Sequence, residues 1–223
     1  MHKAKPKAAV LLSGGVDSSV ALALACEKLD VTAFYLKIWL EEELQFLGSC
    51  PWQEDIRYAQ EVCNKLNVKL NIVPFQTQYF ENIVSYVIDE LKRGNTPSPD
   101  ILCNKKIKFG IFMEYLKDSF DVIISGHYAS VEHNNGLAFL KKAIDPIKDQ
   151  TYFLADLTQN QIRKCFFPLG CLTKSQVRGY AKKLGFSNHI RPDSQGICFL
   201  GKIKYNDFIK YYLGERSGDI IDI

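Results

Sequence analysis

Residues 8–26 constrain the fold of this chain most strongly. An apolar run over residues 8–12 leads into Ser13, Gly14 and Gly15, and an alanine-rich stretch that ends at Cys26 follows. This order predicts a strand that passes through a tight, glycine-dependent turn into a helix. Unpaired N–H groups and the helix dipole at such a helix start favour a polyphosphate. The segment therefore predicts a phosphate-binding turn.

The turn differs from the common phosphate loop because no lysine lies between Ser13 and Val20. The hydroxyls of Ser13, Ser18 and Ser19 add donors instead. Asp17 would repel a polyphosphate unless it meets the phosphates through Mg²⁺, and the alternative is that it caps the helix.

Apolar runs alternate with helical patterns through the first 130 residues, which is typical of a parallel sheet with helices on both faces. The expected strands are Ala8–Leu12, Val31–Ile38, Leu70–Val73 and Val122–Ser125. Helical stripes lie within residues 54–66 and 81–91, and the Asn135-Gly136 pair predicts a hairpin. The predicted fold class is therefore α/β with a doubly covered parallel sheet.

From Gln150 to Leu184 the pattern becomes mainly helical and predicts a small helical appendage. Two helices are expected to open on Thr158 and Thr173, and the second is expected to close on Gly185. The predicted division is a nucleotide-binding domain over residues 1–149, a helical region over 150–213 and a short tail over 214–223.

Composition excludes several classes of protein. No run approaches the roughly 20 apolar residues of a membrane span, and the basic start lacks a signal-peptide pattern. The seven cysteines include no Cys-x-x-Cys pair, which argues against a zinc knuckle and for a reducing compartment.

Residues 151–223 carry 11 Lys and Arg against 6 Asp and Glu. This surplus suits either a polyanionic partner or an ordinary lysine-rich helix surface.

Two polar loops, residues 93–110 and 191–201, each hold one cysteine. Three lysines just after Cys103 should lower its pKa and favour the thiolate, and Asp100 could move a proton. Polar neighbours favour an accessible Cys103 over a buried, inert thiol. Cys198 fits a reactive thiol and a packed core residue equally well. Two loop cysteines on a nucleotide fold together suggest sulfur transfer through a persulfide.

The S-G-G-V-D-S segment resembles the PP-loop ATP pyrophosphatases. That resemblance implies cleavage of ATP between the α- and β-phosphates, with AMP passed to a substrate oxygen and Mg²⁺ bound with the nucleotide. It leaves the substrate open, because ligases and tRNA-modifying enzymes share the motif.

Two longer motifs narrow the choice. The stretches TPSPDILCNKKIKF and DSQGICFLG resemble the two cysteine signatures of the tRNA-specific 2-thiouridylases, the MnmA/TrmU family, and SGHYA, KDQTYFL and FPLG lie between them in the family's order. The resemblance implies an ATP-dependent sulfurtransferase that thiolates a wobble uridine of tRNA. It also implies a sulfur-donor protein as partner, either a persulfide carrier or a cysteine desulfurase, and no membrane.

The resemblance assigns roles to individual residues. It implies that Cys198 bears the persulfide, that Cys103 is the partner nucleophile able to form a disulfide with it, and that Asp100 is the acid or base. The implied ATP contacts are Leu11, Leu12, Ser13, Gly14, Gly15, Val16, Asp17, Ser18, Leu36 and Gly126. The implied tRNA contacts are Ser98, Pro99 and Asp100 at the target base and Lys148, Asp149 and Gln150 elsewhere.

The chain departs from the family pattern in places. Ser98 stands where the family has Asn, and Leu11-Leu12 replaces a common Gly-Met pair. The sequence ends at Ile223 with the stretch GERSGDIIDI, about where the family continues into β-rich modules, so residues 214–223 are expected to begin a missing β region. The open alternatives are an inactive tRNA-binding or sulfur-accepting chain and another PP-loop ligase. A cytoplasmic location is expected, and the segment around Cys50, similar to plant and algal forms, leaves an organelle open.

Overall fold

The computed structural model describes residues 4–38, 52–193 and 204–215. Within them the main sheet has five parallel strands in the order β3-β2-β1-β4-β7. These strands are β1 (Lys7–Leu11), β2 (Asp30–Lys37), β3 (Leu70–Pro74), β4 (Val122–Ile124) and β7 (Cys165–Phe166). The four strands expected from the apolar runs are confirmed, with ends that differ by one residue.

Strand β1 lies at the centre of the sheet, where Val10 is in register with Ala33 of β2 and Ile124 of β4. The chain builds outward on one side through β2 and β3 and then crosses to the other side with β4. This reversal is a topological switch point, and ligands of open parallel sheets bind outside the carboxyl ends of the strands there. The fold thus directs a ligand to the ends of β1 and β4.

Helices connect and cover these strands. The α-helices are α1 (Val16–Cys26), α2 (Trp52–Leu66), α3 (Gln76–Tyr79), α4 (Ser85–Lys92), α5 (Pro99–Cys103), α6 (Phe112–Leu116), α7 (Gln159–Ile162), α8 (Lys174–Lys183) and α9 (Tyr205–Leu213). Two π-helical segments, Phe80–Val84 and Asn104–Ile111, continue α3 and α5. Short 3₁₀ turns cover Thr151–Leu154, Pro168–Cys171 and Ser187–Ile190.

The sheet separates two apolar layers, because successive side chains of a strand point to opposite faces. Ala8 and Val10 of β1 join the layer that holds buried residues of α1, α2 and α8. Ala9 and Leu11 join the layer formed with α4, α6, α9 and the second π-helix. Helices on both faces of a parallel sheet are therefore confirmed.

The Asn-Gly pair closes the predicted hairpin. Strands β5 (Ala129–Asn134) and β6 (Leu137–Lys142) pair antiparallel, with Asn134 opposite Leu137. Asn135 and Gly136 have φ values of 49° and 74°. Two successive positive φ angles are the backbone that a tight hairpin turn needs, and Asn-Gly adopts it readily.

The region after Gln150 corrects one expectation. The helix predicted from Thr158 is limited to the four residues of α7, and Cys165–Phe166 forms strand β7 of the main sheet. Cys165 and Phe167 are buried while Phe166 is 46% exposed, so the local period is 2. The helix expected after Thr173 is confirmed with a capping box. The predicted domain division stays a prediction.

Among the described residues, no helix combines the length and the apolar character that a bilayer crossing requires.

Gly170 allows the turn before α8 to pack on the hairpin. A Cβ added there would lie 2.0 Å from the carbonyl oxygen of Ala129, and the Gly170 oxygen accepts the Ile144 N–H at 3.0 Å. We expect Gly170→Ala to lower the free energy of unfolding by about 3 kcal/mol, because backbone must move to admit the methyl group. Urea unfolding followed by circular dichroism measures this.

Gly179→Ala is the matched control, since an added Cβ meets nothing within 4 Å at this exposed position of α8. We expect it to raise the free energy of unfolding by about 0.5–1 kcal/mol, because alanine loses less backbone entropy in a helix. Equal effects of the two substitutions would contradict the close packing at Gly170.

Candidate active site

The phosphate-binding turn is shaped by close contact with α2. Gly14 has φ +77°, and a Cβ added there would lie 2.3 Å from the carbonyl oxygen of Asp55. Both the backbone angle and the space therefore require glycine at this position. Gly15 has an extended backbone and precedes α1 as its N-cap, without a side-chain capping bond. The first N–H groups of α1 face the turn, as an anion site at a helix start requires.

The serines of the turn hold its own backbone. The Ser13 N–H donates to Ser18 Oγ at 3.2 Å, and the hydroxyls of Ser18 and Ser19 donate to the Gly15 oxygen at 3.1 and 2.8 Å. Ser18 and Ser19 are buried, whereas Ser13 is exposed. The Ser13 hydroxyl also lies 3.2 Å from Ser18 Oγ, so the three serines together fix the turn.

Asn188 supports the turn from a distant part of the chain. Its fully buried amide donates to the Gly14 oxygen and to Ser19 Oγ, both at 2.9 Å. Arg191 lies beside it, 3.4 Å from the Gly14 oxygen and paired with Asp55 at 2.5 Å. Sequence reasoning missed both residues, because a single Asn in a short 3₁₀ turn carries no recognisable motif.

Gly126 follows the end of β4 and Leu36 lies near the end of β2, and their contact with ATP stays a prediction. A Cβ on Gly126 would approach the Ser18 backbone nitrogen to 2.8 Å, so this residue packs directly on the start of α1. Leu11 and Leu12 are buried in the two apolar layers, which leaves only their backbone for a ligand. The ends of β1, β2 and β4 thus meet at one edge of the sheet.

Asp17 does not cap α1, so that alternative is wrong. Its carboxylate accepts the Tyr128 hydroxyl at 2.9 Å and the Lys174 ammonium at 2.7 and 2.8 Å. Tyr128 is buried, and burial together with the Asp17 charge raises the pKa of its hydroxyl. Asp17 and oxygen donors such as Ser13 fit a magnesium ion that arrives with a nucleotide, because Mg²⁺ needs only one or two protein carboxylates. In the described part of the chain, no three His, Cys, Asp or Glu side chains form a metal-binding group of their own.

Asp193 forms ion pairs with three cationic side chains next to Asp17. Its carboxylate lies 2.5 Å from Lys148, 2.6 Å from Lys174 and 2.9 Å from Arg178. Partial burial alone would raise its pKa, but the hydrogen bonds from Lys148 and Lys174 outweigh burial and lower the pKa of Asp193 to about 2. Asp193 opens the second cysteine loop, so this cluster joins that loop to the phosphate-binding turn.

Three of the six residues expected to contact tRNA, Lys148–Gln150, lie near this cluster. Lys148 pairs with Asp193, and Asp149 accepts the Ala143 N–H at 3.2 Å. Gln150 accepts the Tyr128 N–H through its side chain at 3.0 Å and donates its own N–H to the Tyr128 oxygen. Gln150 thus holds the backbone of Tyr128, whose hydroxyl donates to Asp17. The contact of Lys148, Asp149 and Gln150 with tRNA stays a prediction.

The Cys103 segment differs from its expectation in two ways. Cys103 ends helix α5 and is 1% exposed, whereas an accessible thiol in a turn was expected. The expectation failed because polar neighbours were taken as a sign of exposure. The Asn104 amide is itself buried and donates to the Phe153 oxygen at 2.9 Å. The helix begins at Pro99 rather than near Ile107, with Asp100 in its first turn.

A π-helix carries the chain away from Cys103 and depends on Gln161. The Gln161 side chain donates to the oxygens of Lys105 and Phe109 at 2.8 and 2.9 Å. A π-helix is rare and is often found at functional sites. Sequence reasoning missed Gln161, since it lies on a different element more than 50 residues away.

His127 lies between the phosphate-binding turn and the cysteine segment. Its Nδ1 is 2.7 Å from Ser125 Oγ, and its ring contacts those of Phe109 and Phe167. Burial and then the Lys108 charge hold the pKa of His127 well below its ordinary value. The ring is therefore neutral at pH 7, and its position after Gly126 makes it a candidate site residue.

The predicted persulfide cysteine, Cys198, lies outside the described residues. Of the remaining predicted residues, Ser98 precedes α5 as its N-cap, with Pro99 buried and Asp100 partly buried after it. Val16 is buried at the first position of α1. The roles assigned to all these residues stay predictions.

Comparison with known proteins places this arrangement in a family. The family model described as tRNA methyl transferase HUP domain matches residues 6–202. The tRNA-specific 2-thiouridylase MnmA 1 of Bacteroides thetaiotaomicron is 45% identical over 216 residues, which is 96% of this chain and 60% of that protein. The enzyme named tRNA-specific 2-thiouridylase MnmA of Parabacteroides distasonis is 46% identical with the same coverage. The chain therefore spans 60% of the length of these relatives.

Solved structures share the fold at low sequence identity. The NMN synthetase of Francisella tularensis has a TM-score of 0.55 and 18% identity, with 97% of this chain and 80% of that chain covered. The U34-tRNA thiolase NcsA of Methanococcus maripaludis has a TM-score of 0.53 and 19% identity, with 95% and 69% covered. At this identity the likeness shows the fold alone.

The Asp193 cluster predicts a pH dependence of stability. The folded-state pKa of about 2 lies below the unfolded value of about 4, so the carboxylate stabilises the fold above pH 4 and loses this effect as the pH falls toward 2. We expect Asp193→Asn to lower the free energy of unfolding at pH 7 by on the order of 1 kcal/mol, because the side chain partly reaches solvent. The difference from the unchanged chain should shrink between pH 4 and pH 2.

Urea unfolding at a series of pH values measures this difference, with Asp89→Asn as the control. Asp89 is exposed and its nearest cation, Lys92, is 4.0 Å away, so its replacement should have little effect at any pH. A difference for Asp193→Asn that stays constant from pH 7 to pH 2 would contradict the cluster.

Proposed function

The chain belongs to the tRNA methyl transferase HUP domain family, and we propose from this premise that it is the catalytic region of a tRNA 2-thiouridine synthase. The family resemblance predicted from the motifs is confirmed by the similarity to two enzymes named tRNA-specific 2-thiouridylase. Because the chain spans 60% of their length, its activity, substrate and partners are proposed here.

The observation that carries the proposal is the Lys174 bridge between Asp17 and Asp193. Asp17 belongs to the phosphate-binding turn, and Asp193 is the first residue of the motif that holds Cys198. The proposed nucleotide site and the motif that would carry the sulfur therefore each contribute a carboxylate to the same charged cluster. A ligase that joins an amine to an activated acid needs no such link to a cysteine motif.

ATP is proposed to bind with its phosphates at the start of α1. Backbone N–H groups of the turn would bind phosphate oxygens. Glycine at positions 14 and 126 lets the turn pack on Asp55 and lets the end of β4 pack on the start of α1. Asp17 would hold the Mg²⁺ that arrives with the nucleotide. This ion supplies charge neutralisation for the departing pyrophosphate.

The first chemical step activates the uridine. The C2 oxygen of the base attacks the α-phosphorus of ATP, a new O–P bond forms, and the bond to the β-phosphate oxygen breaks, which releases pyrophosphate. A ring carbonyl oxygen leaves poorly, whereas AMP leaves well once hydrogen-bond donors stabilise its charge. Asp100 is proposed as the acid or base at the base, from its position in the first turn of α5.

The second step transfers sulfur. The terminal sulfur of a persulfide on Cys198 adds to C2, and AMP departs with the original oxygen. The thiolate of Cys103 then attacks Cys198 Sγ, so that a Cys103–Cys198 disulfide forms, the persulfide S–S bond breaks and the sulfur stays on C2. An external thiol must reduce the disulfide before another turnover.

Cys103 is buried, so this mechanism requires the α5 segment to open when tRNA binds. The target base must also leave the anticodon stack, because enzymes that act on a base generally extrude it. Ser98 and Pro99 lie directly before Asp100 and are proposed to face that base. The opening and the base binding would then occur on the same element.

The proposed partners are tRNA and a sulfur donor, which is either a persulfide carrier or a cysteine desulfurase. Lys148–Gln150 are proposed to contact tRNA. Lys141, Lys142 and the basic last third of the chain would meet the phosphate backbone, which gives affinity rather than sequence choice. Lys141 and Lys142 are both exposed on β6. A tRNA substrate implies that the protein acts in a compartment that contains tRNA, either the cytoplasm or an organelle.

Replacement of the two motif cysteines tests the function. We expect Cys103→Ser and Cys198→Ser each to lower thiolation of a transcribed tRNA by at least 100-fold, because each removes a sulfur nucleophile. ATP–pyrophosphate exchange in the presence of tRNA should stay within about 3-fold, since adenylation needs neither thiol. Radiolabelled sulfur on tRNA and the exchange reaction are measured side by side.

Cys171→Ser is the matched control, because this cysteine is exposed and lies outside both motifs. Full thiolation by the double Cys103/Cys198 variant would contradict the sulfur-transfer mechanism. Tight tRNA binding by the unchanged chain without exchange or thiolation would identify a binding protein instead.

A further inference from the structure

We propose that Lys174 binds the β- and γ-phosphates of the nucleotide and so supplies, from α8, the cation that the phosphate-binding turn lacks. The proposal rests on the proposed function, because it requires a nucleotide at the turn. It concerns a residue for which the motifs carry no assigned role.

The backbone of Lys174 is fixed on two sides. Thr173 caps α8 and exchanges hydrogen bonds with Gln176 in a capping box. The Lys174 N–H donates to the buried carboxylate of Asp145 at 2.8 Å. Asp145 in turn accepts the Ile147 N–H at 2.9 Å, so it is itself held in place. The lysine side chain therefore extends from a rigid base toward the first turn of α1.

The ammonium group is shared between two carboxylates. It lies 2.7 and 2.8 Å from the two oxygens of Asp17 and 2.6 Å from Asp193. The side chain is 15% exposed. An ammonium has three donors, and three carboxylate oxygens occupy these directions. The charge is thus held beside the turn before any nucleotide arrives.

This position is suited to a polyphosphate. Asp17 is in the first turn of α1, where N–H groups attract an anion, yet its own charge opposes one. Lys174 neutralises that charge and lies within hydrogen-bond distance of the Asp17 carboxylate. Asp193 keeps the ammonium in position when one Asp17 oxygen turns to a metal-bound nucleotide. The ammonium can then donate to a phosphate oxygen in place of the carboxylate.

A purely structural bridge between α1 and α8 is the competing explanation. Such a bridge would affect folding stability and would change the affinities for all nucleotides alike. Contact with the β- and γ-phosphates instead changes affinity for ATP and for pyrophosphate and leaves AMP largely unaffected. The ratio of these affinities separates the two explanations.

Isothermal titration of the 223-residue chain with ATP, inorganic pyrophosphate and AMP, each with Mg²⁺, provides the test. Lys174→Met keeps the apolar stem and removes the charge. We expect it to weaken ATP and pyrophosphate binding by about 10-fold or more and AMP binding by less than about 2-fold, as the loss of one charge-assisted hydrogen bond predicts. Lys182→Met, at an exposed position in the last turn of α8, should change none of the three.

Equal weakening of all three ligands, or no weakening, would overturn the proposal. If Lys174→Met unfolds too readily for titration, Lys174→Gln decides, because its amide keeps hydrogen-bond donors and removes the charge. We expect Lys174→Gln to weaken ATP and pyrophosphate binding relative to the unchanged chain and to leave AMP binding nearly unaffected, and an equal effect on all three ligands would overturn the proposal. Failure of the unchanged chain to bind ATP at all would instead count against the proposed function.

Discussion

The candidate active site of this chain depends on one ammonium group that is held between two carboxylates. Lys174 joins Asp17 of the first helix to Asp193, although Asp17 lies more than 150 residues before the other two. Charges taken partly out of water are costly unless they are paired, and Lys148 and Arg178 complete the pairing around Asp193. Because the partners come from four separate segments, the pairing forms only in the folded chain. It links the phosphate-binding turn to the second cysteine motif.

The phosphate-binding turn already has the arrangement that the proposed chemistry needs, whereas the cysteine segment does not. The phosphate-binding turn is rigid, since Gly14 packs on Asp55 and buried Asn188 holds its carbonyl oxygen. The cysteine half is closed, because Cys103 lies buried at the junction of an α-helix and a π-helix. A π-helical segment is rare and is often found at functional sites. The proposed mechanism therefore needs a rearrangement at the cysteine segment but not at the phosphate-binding turn.

The sequence predicted those parts of the fold that depend on neighbouring residues. Apolar runs located β1 to β4, and the double glycine located the turn, because strand period and glycine conformation are properties of adjacent residues. It missed β7, where two residues are too few for a period, and it placed Cys103 at the surface. Asn104 is buried only because the distant Phe153 oxygen accepts its amide, which no local pattern reveals. Lys174, Asn188 and Gln161 were missed for the same reason, because each has a partner 50 or more residues away.

The central claim is that the uridine C2 oxygen is activated as an AMP ester before sulfur replaces it. The most direct measurement uses tRNA with ¹⁸O at C2 of the target uridine, incubated with the chain, ATP and a persulfide donor, followed by mass spectrometry of the AMP released. The account predicts one ¹⁸O atom in the phosphate of each AMP formed with thiolated tRNA. Unlabelled AMP beside thiolated tRNA would contradict it, because the oxygen would then have left by another route.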